Sequence, residues 1–186
     1  AITGTLRIIA PAGSVFTSSN FVVQPTITGF SPAFGPVGTA VTITGANFNV
    51  GTPVVKFNGV QAAVPTGVTF GQLTAVVSAG ASTGPITVTT TDGTGTSGAN
   101  FFLPAVITSF TPTHGLPGTI VTLSGQNFIG TSAVRFNGLD AASFNVLSNL
   151  AIQAVVPVGA STGLIRIIAP AGSVFSSSNF VVQPLP

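Results

Sequence analysis

One stretch of this chain is written twice. Thr3 to Pro25 reads TGTLRIIAPAGSVFTSSNFVVQP and Thr162 to Pro184 reads TGLIRIIAPAGSVFSSSNFVVQP, differing only at Thr5/Leu164, Leu6/Ile165 and Thr17/Ser176. Near-identical copies at a fixed offset mark a tandem array in which each copy is the same supersecondary piece of a recurring unit. The offset is 159 positions, and a weaker similarity sits at about half of it: Ile27-Thr-Gly-Phe-Ser-Pro32 matches Ile107-Thr-Ser-Phe-Thr-Pro112, 80 positions on. Two related units therefore alternate. The expected organisation is a type A unit over residues 26–104 and a type B unit over 105–186. Residues 1–25 are then the C-terminal strands of a preceding type B unit. The chain begins at Ala1 without Met, which reads as a processed product or an excerpt of something longer.

Charge is nearly absent. Four Lys and Arg and two Asp make up 3% of 186 residues, against about 25% in a typical soluble domain. The ionic side chains are Arg7, Lys56, Arg135, Arg166, Asp92 and Asp140. Nucleic-acid binding requires clustered cations that displace counterions from phosphates, and four scattered ones predict no such partner. With no cysteine there are no disulfides or thiolate metal sites; the lack is compatible with secretion and does not fix the redox compartment. Mean hydropathy is high at +0.70, yet no run of about 18 apolar residues offers a spanning helix. A membrane barrel would want girdles of Trp and Tyr, and the chain has neither. No membrane insertion is expected.

Strand periodicity dominates. Thr39-Ala-Val-Thr-Ile-Thr44 and Thr119-Ile-Val-Thr-Leu-Ser124 alternate apolar and hydroxyl residues, placing Val41, Ile43, Val121 and Leu123 inward. Further strands are predicted at 54–58, 73–78, 85–91 and 99–103, with partners at 133–137, 152–157, 164–169 and 178–183. Asn58-Gly59, Asn137-Gly138 and Asp92-Gly93 supply turn chemistry between them. About seven short strands per unit, with turns every 8–12 residues and no helical period, predict an all-β protein of tandem β-sandwiches about 80 residues each.

The motifs resemble a known family. Gly35-Pro-Val-Gly-Thr39, Val41-Thr-Ile-Thr-Gly45, Asn47-Phe48 and Val55-Lys-Phe-Asn-Gly59 recur in order as Gly115-Leu-Pro-Gly-Thr119, Val121-Thr-Leu-Ser-Gly125, Asn127-Phe128 and Val134-Arg-Phe-Asn-Gly138. This pattern is similar to the IPT/TIG domain, and the resemblance implies immunoglobulin-like sandwiches and an interaction role, as in bacterial surface proteins. Independently of that, phenylalanines recur at equivalent places (Phe30/Phe110, Phe48/Phe128, Phe57/Phe136, Phe21/Phe101/Phe180), as core residues do. Phe34, Phe70, Phe102 and Phe144 lack such equivalents and are candidates for unit-specific packing or for surface contacts.

Catalytic constellations are missing. Each complete unit has one aspartate, at non-equivalent positions, so paired carboxylates are not available. The single histidine, His114, reads as a polar substitution in a loop at the position of Phe34. Calcium would need several carboxylate oxygens around one ion. A Lys–Asn isopeptide bond at Lys56 is disfavoured because its counterpart is Arg135. No Asn-x-Ser/Thr sequon occurs, while the many Ser and Thr leave O-glycosylation open. No enzyme activity, cofactor or metal is expected.

The units differ on one outward strand face. Type A has Thr87 and Thr89 where type B has Arg166 and Ile168, with Leu164 beside them. The N-terminal copy shows Arg7 and Ile9 in the same places. Exposed branched apolar residues on a β face tend to mark contacts, so Arg7, Ile9, Leu164, Arg166 and Ile168 are the candidate inter-unit contact. Few charges also remove the usual protection against sticking. The leading functional expectation is a non-enzymatic structural segment of an extracellular filament, fibre or adhesin stalk at a bacterial surface, whose partner is itself. The alternative is a glycan- or host-receptor-binding adhesion module, with surface glycans as partners. An accessory domain of a polysaccharide-acting enzyme ranks third.

Overall fold

The computed structural model describes residues 3–184, among which there are strands and turns but no helix. The chain forms two compact units: residues 1–32, 38–81 and 85–100 make the first, and 33–37, 82–84 and 101–186 the second. The first is built on β1 (Gly4–Ala10), β2 (Gly13–Phe21), β3 (Thr26–Ser31), β4 (Ala40–Ala46), β5 (Val54–Phe57), β6 (Val60–Gln61), β7 (Gln72–Val76), β8 (Gly84–Thr90) and β9 (Gly93–Phe101). β1 and β2 pair with each other as a two-stranded sheet. The remainder form sheets ordered β3-β4-β7 and β6-β5-β8-β9.

The second unit contains β10 (Val106–Thr111), β11 (His114–Gly115), β12 (Ile120–Gln126), β13 (Ala133–Phe136), β14 (Leu139–Asp140), β15 (Ser143–Ser148), β16 (Ala151–Val155), β17 (Gly163–Ala169) and β18 (Gly172–Val182). Its sheets run β10-β12-β16-β15 and β11-β18-β17-β13-β14. The alternation read from the sequence places the core between them: Val121, Leu123, Val134, Phe136, Ile152, Ile165 and Ile167 are buried together with Phe128 and Phe180. Phe180 meets Phe136 edge to face at 5.4 Å between centroids, a geometry that aligns the positive ring edge with the negative face.

The turns behave as their residues require. Asn58 and Asn137 both sit at φ 45°, followed by Gly59 at 87° and Gly138 at 91°; two successive positive φ values define the tight turn whose twist matches its strands. At Gly125 the constraint is proximity, since a Cβ there would fall on the Val106 carbonyl and the Phe128 ring.

Three features depart from the sequence expectations. β9 and β18 begin at Gly93 and Gly172, well before the predicted 99 and 178, because their Gly- and Ser-rich first halves are strand rather than loop. A bulge lets them pair. Between Leu164 and Arg166 the register shifts, and Ser176 Oγ fills the gap by accepting the Ile165 N–H at 2.9 Å and donating to the Ser178 carbonyl at 2.8 Å. Ser97 does the same for Ile86, and Thr17 for Leu6. β15 was not predicted; the first unit has only a Thr66–Thr74 bridge there. His114 lies in a short parallel strand beside Val181 rather than in a loop, and is exposed.

Candidate functional site on the outward face of the second unit

Alternation along β17 buries Ile165 and Ile167 and leaves Leu164, Arg166 and Ile168 on the outer face. Two tight hairpins then fix what lies beside them. The Asn137-Gly138 turn sets Arg135 opposite Asp140. β13 pairs with β17 so that Arg135 faces Arg166, and the two-residue loop after Ala169 sets Arg166 opposite Phe175. A transverse row Asp140, Arg135, Arg166, Phe175 thus crosses four strands. It gathers three of the six ionic side chains of the whole chain.

Within the row, Arg135 Nε donates to Asp140 Oδ1 at 2.6 Å, with the carboxylate 67% exposed. An ion pair so open to water and salt adds little stability. Arg166 lies over the Phe175 ring, its guanidinium carbon 5.3 Å from the centroid, and one terminal nitrogen donates to Ser173 Oγ at 3.0 Å. Its Nε is buried without a hydrogen-bond partner among the described residues. That desolvation opposes the stack, so the side chain is held by the ring and by Ser173. Phe175 itself is 53% exposed and Leu164 37%. The result is an outward sheet face that carries an aromatic ring, a planar cation and an accessible carboxylate in one row.

The N-terminal copy repeats the Arg–Phe end of this row, with Arg7 over Phe16 at 5.7 Å and Ile9 exposed beside it. The five residues singled out from the sequence therefore lie on the outer faces of β17 and β1. Sequence reasoning missed Arg135, Asp140 and Phe175, although the two hairpin turns carried the signal. The type A equivalent of the row is Gln61, Lys56 and Thr87, which has neither an ion pair of this kind nor an aromatic opposite.

A concavity of about 440 Å³ in the first unit is bordered by Asn47, Asn49, Gly51, Phe70, Asp92 and Thr3. There the Asp92 carboxylate accepts a hydrogen bond from the Thr3 hydroxyl, a partner that the Asp-Gly turn alone did not predict. Phe34 and Phe70 are exposed, whereas Phe144 packs partly buried against the second unit's core. No group of three His, Cys, Asp or Glu able to hold a metal occurs among the described residues. No described helix is long and apolar enough to cross a membrane.

The family model of the IPT/TIG domain matches residues 25–103 and again 105–182. The chain belongs to the IPT/TIG domain family, as two tandem immunoglobulin-like sandwiches. No curated protein matches it. Among solved structures it is similar to the surface glycan-binding protein PbSGBP-B of Prevotella bryantii, at 15% identity and TM-score 0.47 over 86% of this chain and 43% of that one. It is also similar to SGBP-B from a complex xyloglucan utilization locus in Bacteroides uniformis, at 19% identity and TM-score 0.43 over 86% of this chain and 50% of that one. The extracellular region of plexin A4 matches at 20% identity and TM-score 0.41, over 86% of this chain and 18% of that one. The chain spans half or less of each of these proteins, and the likeness is remote.

Proposed function

We propose that this segment is a non-enzymatic binding module of a bacterial surface or secreted protein, and that the outward row of the type B unit takes a glycan. The observation that carries this reading is the Asp140–Arg135–Arg166–Phe175 row itself. A chain that otherwise avoids charge has placed half of its ionic groups on one exposed sheet face, where they are not needed to fill a core. The half-exposed ring, with Arg166 over it, offers apolar contact to a sugar ring, and the carboxylate and guanidinium groups beside it offer acceptors and donors to hydroxyls. A row exposed across four strands suits an extended polymer better than a small enclosed ligand. Repetition of the Arg–Phe pair at Arg7 and Phe16 favours binding at several points along one chain, with the gain in avidity that linked sites provide.

A second reading, self-association as a structural stalk or filament segment, is favoured by the low charge and by the apolar neighbours Leu164 and Ile168 on the same face. One experiment separates the two. The whole chain is applied to a glycan array and, in parallel, followed by sedimentation across a concentration series. Glycan binding that falls at least about tenfold, or 1.4 kcal/mol, in Arg166→Ala and Phe175→Ala supports the first reading. Absence of glycan binding together with concentration-dependent fibres that the same substitutions abolish would replace it with the second.

A further inference from the structure

The hairpin β1–β2 is the same object as β17–β18. Gly4 pairs with Phe21, Ile8 with Val15 and Ala10 with Gly13, just as Gly163 pairs with Phe180, Ile167 with Val174 and Ala169 with Gly172. The bulge falls at the same place, and Thr3 Oγ1 accepts the Val23 N–H at 2.9 Å as Thr162 Oγ1 accepts that of Val182 at 2.9 Å. What differs is the inner face. Leu6 is 51% exposed, Ile8 63% and Phe21 55%, while their equivalents Ile165, Ile167 and Phe180 are 0%, 0% and 1% exposed. The edge differs too, since β17 lies between β18 and β13 whereas the β1–β2 sheet has two strands.

From this we infer that the inner face and free edge of β1–β2 are a docking surface for a type B scaffold, a run of strands equivalent to β10–β16 that carries no C-terminal hairpin of its own. The second unit shows the chemistry of the occupant. There Phe136 and Phe110 pack on Phe180. Backbone bonds from Ser132 N–H to the Ile168 carbonyl at 2.8 Å and from Asn137 N–H to the Leu164 carbonyl at 2.9 Å close the β13 edge. The carbonyls of Ile9 and Thr5 are the corresponding acceptors in the first copy. An isolated two-stranded hairpin is marginal in water, and an apolar face of this composition gains from being covered.

A second copy of this chain cannot supply the scaffold, because its own β17–β18 already fills it and an exchange of hairpins leaves the number of uncovered faces unchanged. In the second unit every scaffold strand precedes the hairpin, and β16 leads into β17 through residues 156–162. The same chain order makes the N-terminal side of β1 the end to which such a scaffold connects.

The test is an extended chain in which a copy of residues 105–159 is joined directly to Ala1 of the intact sequence. Amide exchange at Leu6, Ile8 and Phe21 is expected to slow by about 100-fold or more, as for a strand drawn into a cooperative unit, and a further cooperative thermal transition is expected. Ile8→Asp in the extended chain should remove both effects while leaving exchange in residues 105–184 unchanged. An added segment that shows no amide protection of its own, with the rest of the chain intact, would overturn the inference. So would protection of Leu6 to Ile9 in the unextended chain that arises on dimerisation.

Discussion

Arg166 lies over the ring of Phe175, its guanidinium carbon 5.3 Å from the centroid. The turn after Ala169 dictates the pairing, since a two-residue loop puts residue 166 opposite 175 on the outer face of the sheet. Removing the ring should therefore disturb the surface far more than the fold. Phe175→Ala is expected to lower stability by about 1 kcal/mol or less and to release the Arg166 side chain, seen as line narrowing of its Nε–H resonance. Arg166→Lys keeps the charge but loses the planar stack and the fork of donors, so it should behave like Arg166→Ala in ligand binding rather than like the native chain.

On the opposite face of the same sheet the balance reverses. Phe136 is buried and meets Phe180 edge to face, so Phe136→Ala opens a cavity that the flanking strands cannot collapse. The expected loss is about 3–5 kcal/mol, measured by urea unfolding of the intact chain. An equal loss for Phe175→Ala and Phe136→Ala would show that the inward and outward faces are misassigned.

Glycine has two different roles here, and substitution separates them. At Gly118 φ is +91° with nothing within 4 Å of where a Cβ would stand, so alanine meets only backbone strain of about 1–2 kcal/mol. At Gly125 a Cβ would collide with the Val106 carbonyl and the ring of buried Phe128. Neither neighbour can move, because one belongs to the β10–β12 ladder and the other fills the core. Gly125→Ala is expected to cost about 3 kcal/mol or more, so the denaturation midpoint should fall well below that of Gly118→Ala.

The contrast between the faces also explains what could be read in advance. Period-two alternation at Val121 and Leu123, or at Ile165 and Ile167, is a direct imprint of burial, and each of the four is fully buried. Tight turns are legible for the same reason, because Asn-Gly supplies two successive positive φ values and thereby fixes register. The Arg135–Asp140 pair follows from the Asn137-Gly138 turn, and the Arg166–Phe175 pair from the two-residue Pro170-Ala171 loop, by counting outward, so most of the row was encoded locally. The first halves of β9 and β18 were hidden. Their Gly and Ser residues carry turn propensity, and in the folded chain a hydroxyl from each satisfies the backbone donor that the bulge exposes on the neighbouring strand. β15 was hidden by a different cause: Phe144 and Val146 are only partly buried against the core, so their alternation carried a weak signal. The pairing of Arg135 with Arg166 came from strand order, which depends on contacts distant in sequence.

The bulge itself makes the last prediction. Ser176 is buried and bridges the Ile165 N–H and the Ser178 carbonyl. In Ser176→Ala the Ile165 donor loses its partner in a place that water does not reach, at an expected cost of about 1–3 kcal/mol. Ser176→Thr should restore the bond, because Thr17 already makes the same pair of contacts in the N-terminal copy, accepting the Leu6 N–H at 3.0 Å and donating to the Ser19 carbonyl at 2.7 Å. The added methyl must fit a buried site in β18, whereas Thr17 stands partly open. Threonine is therefore expected to recover most of the loss rather than all of it. Urea midpoints that rank serine first, threonine second and alanine third would bear out the hydroxyl as what keeps these Ser-rich segments extended. A threonine variant as unstable as the alanine one would instead show that the site is governed by volume.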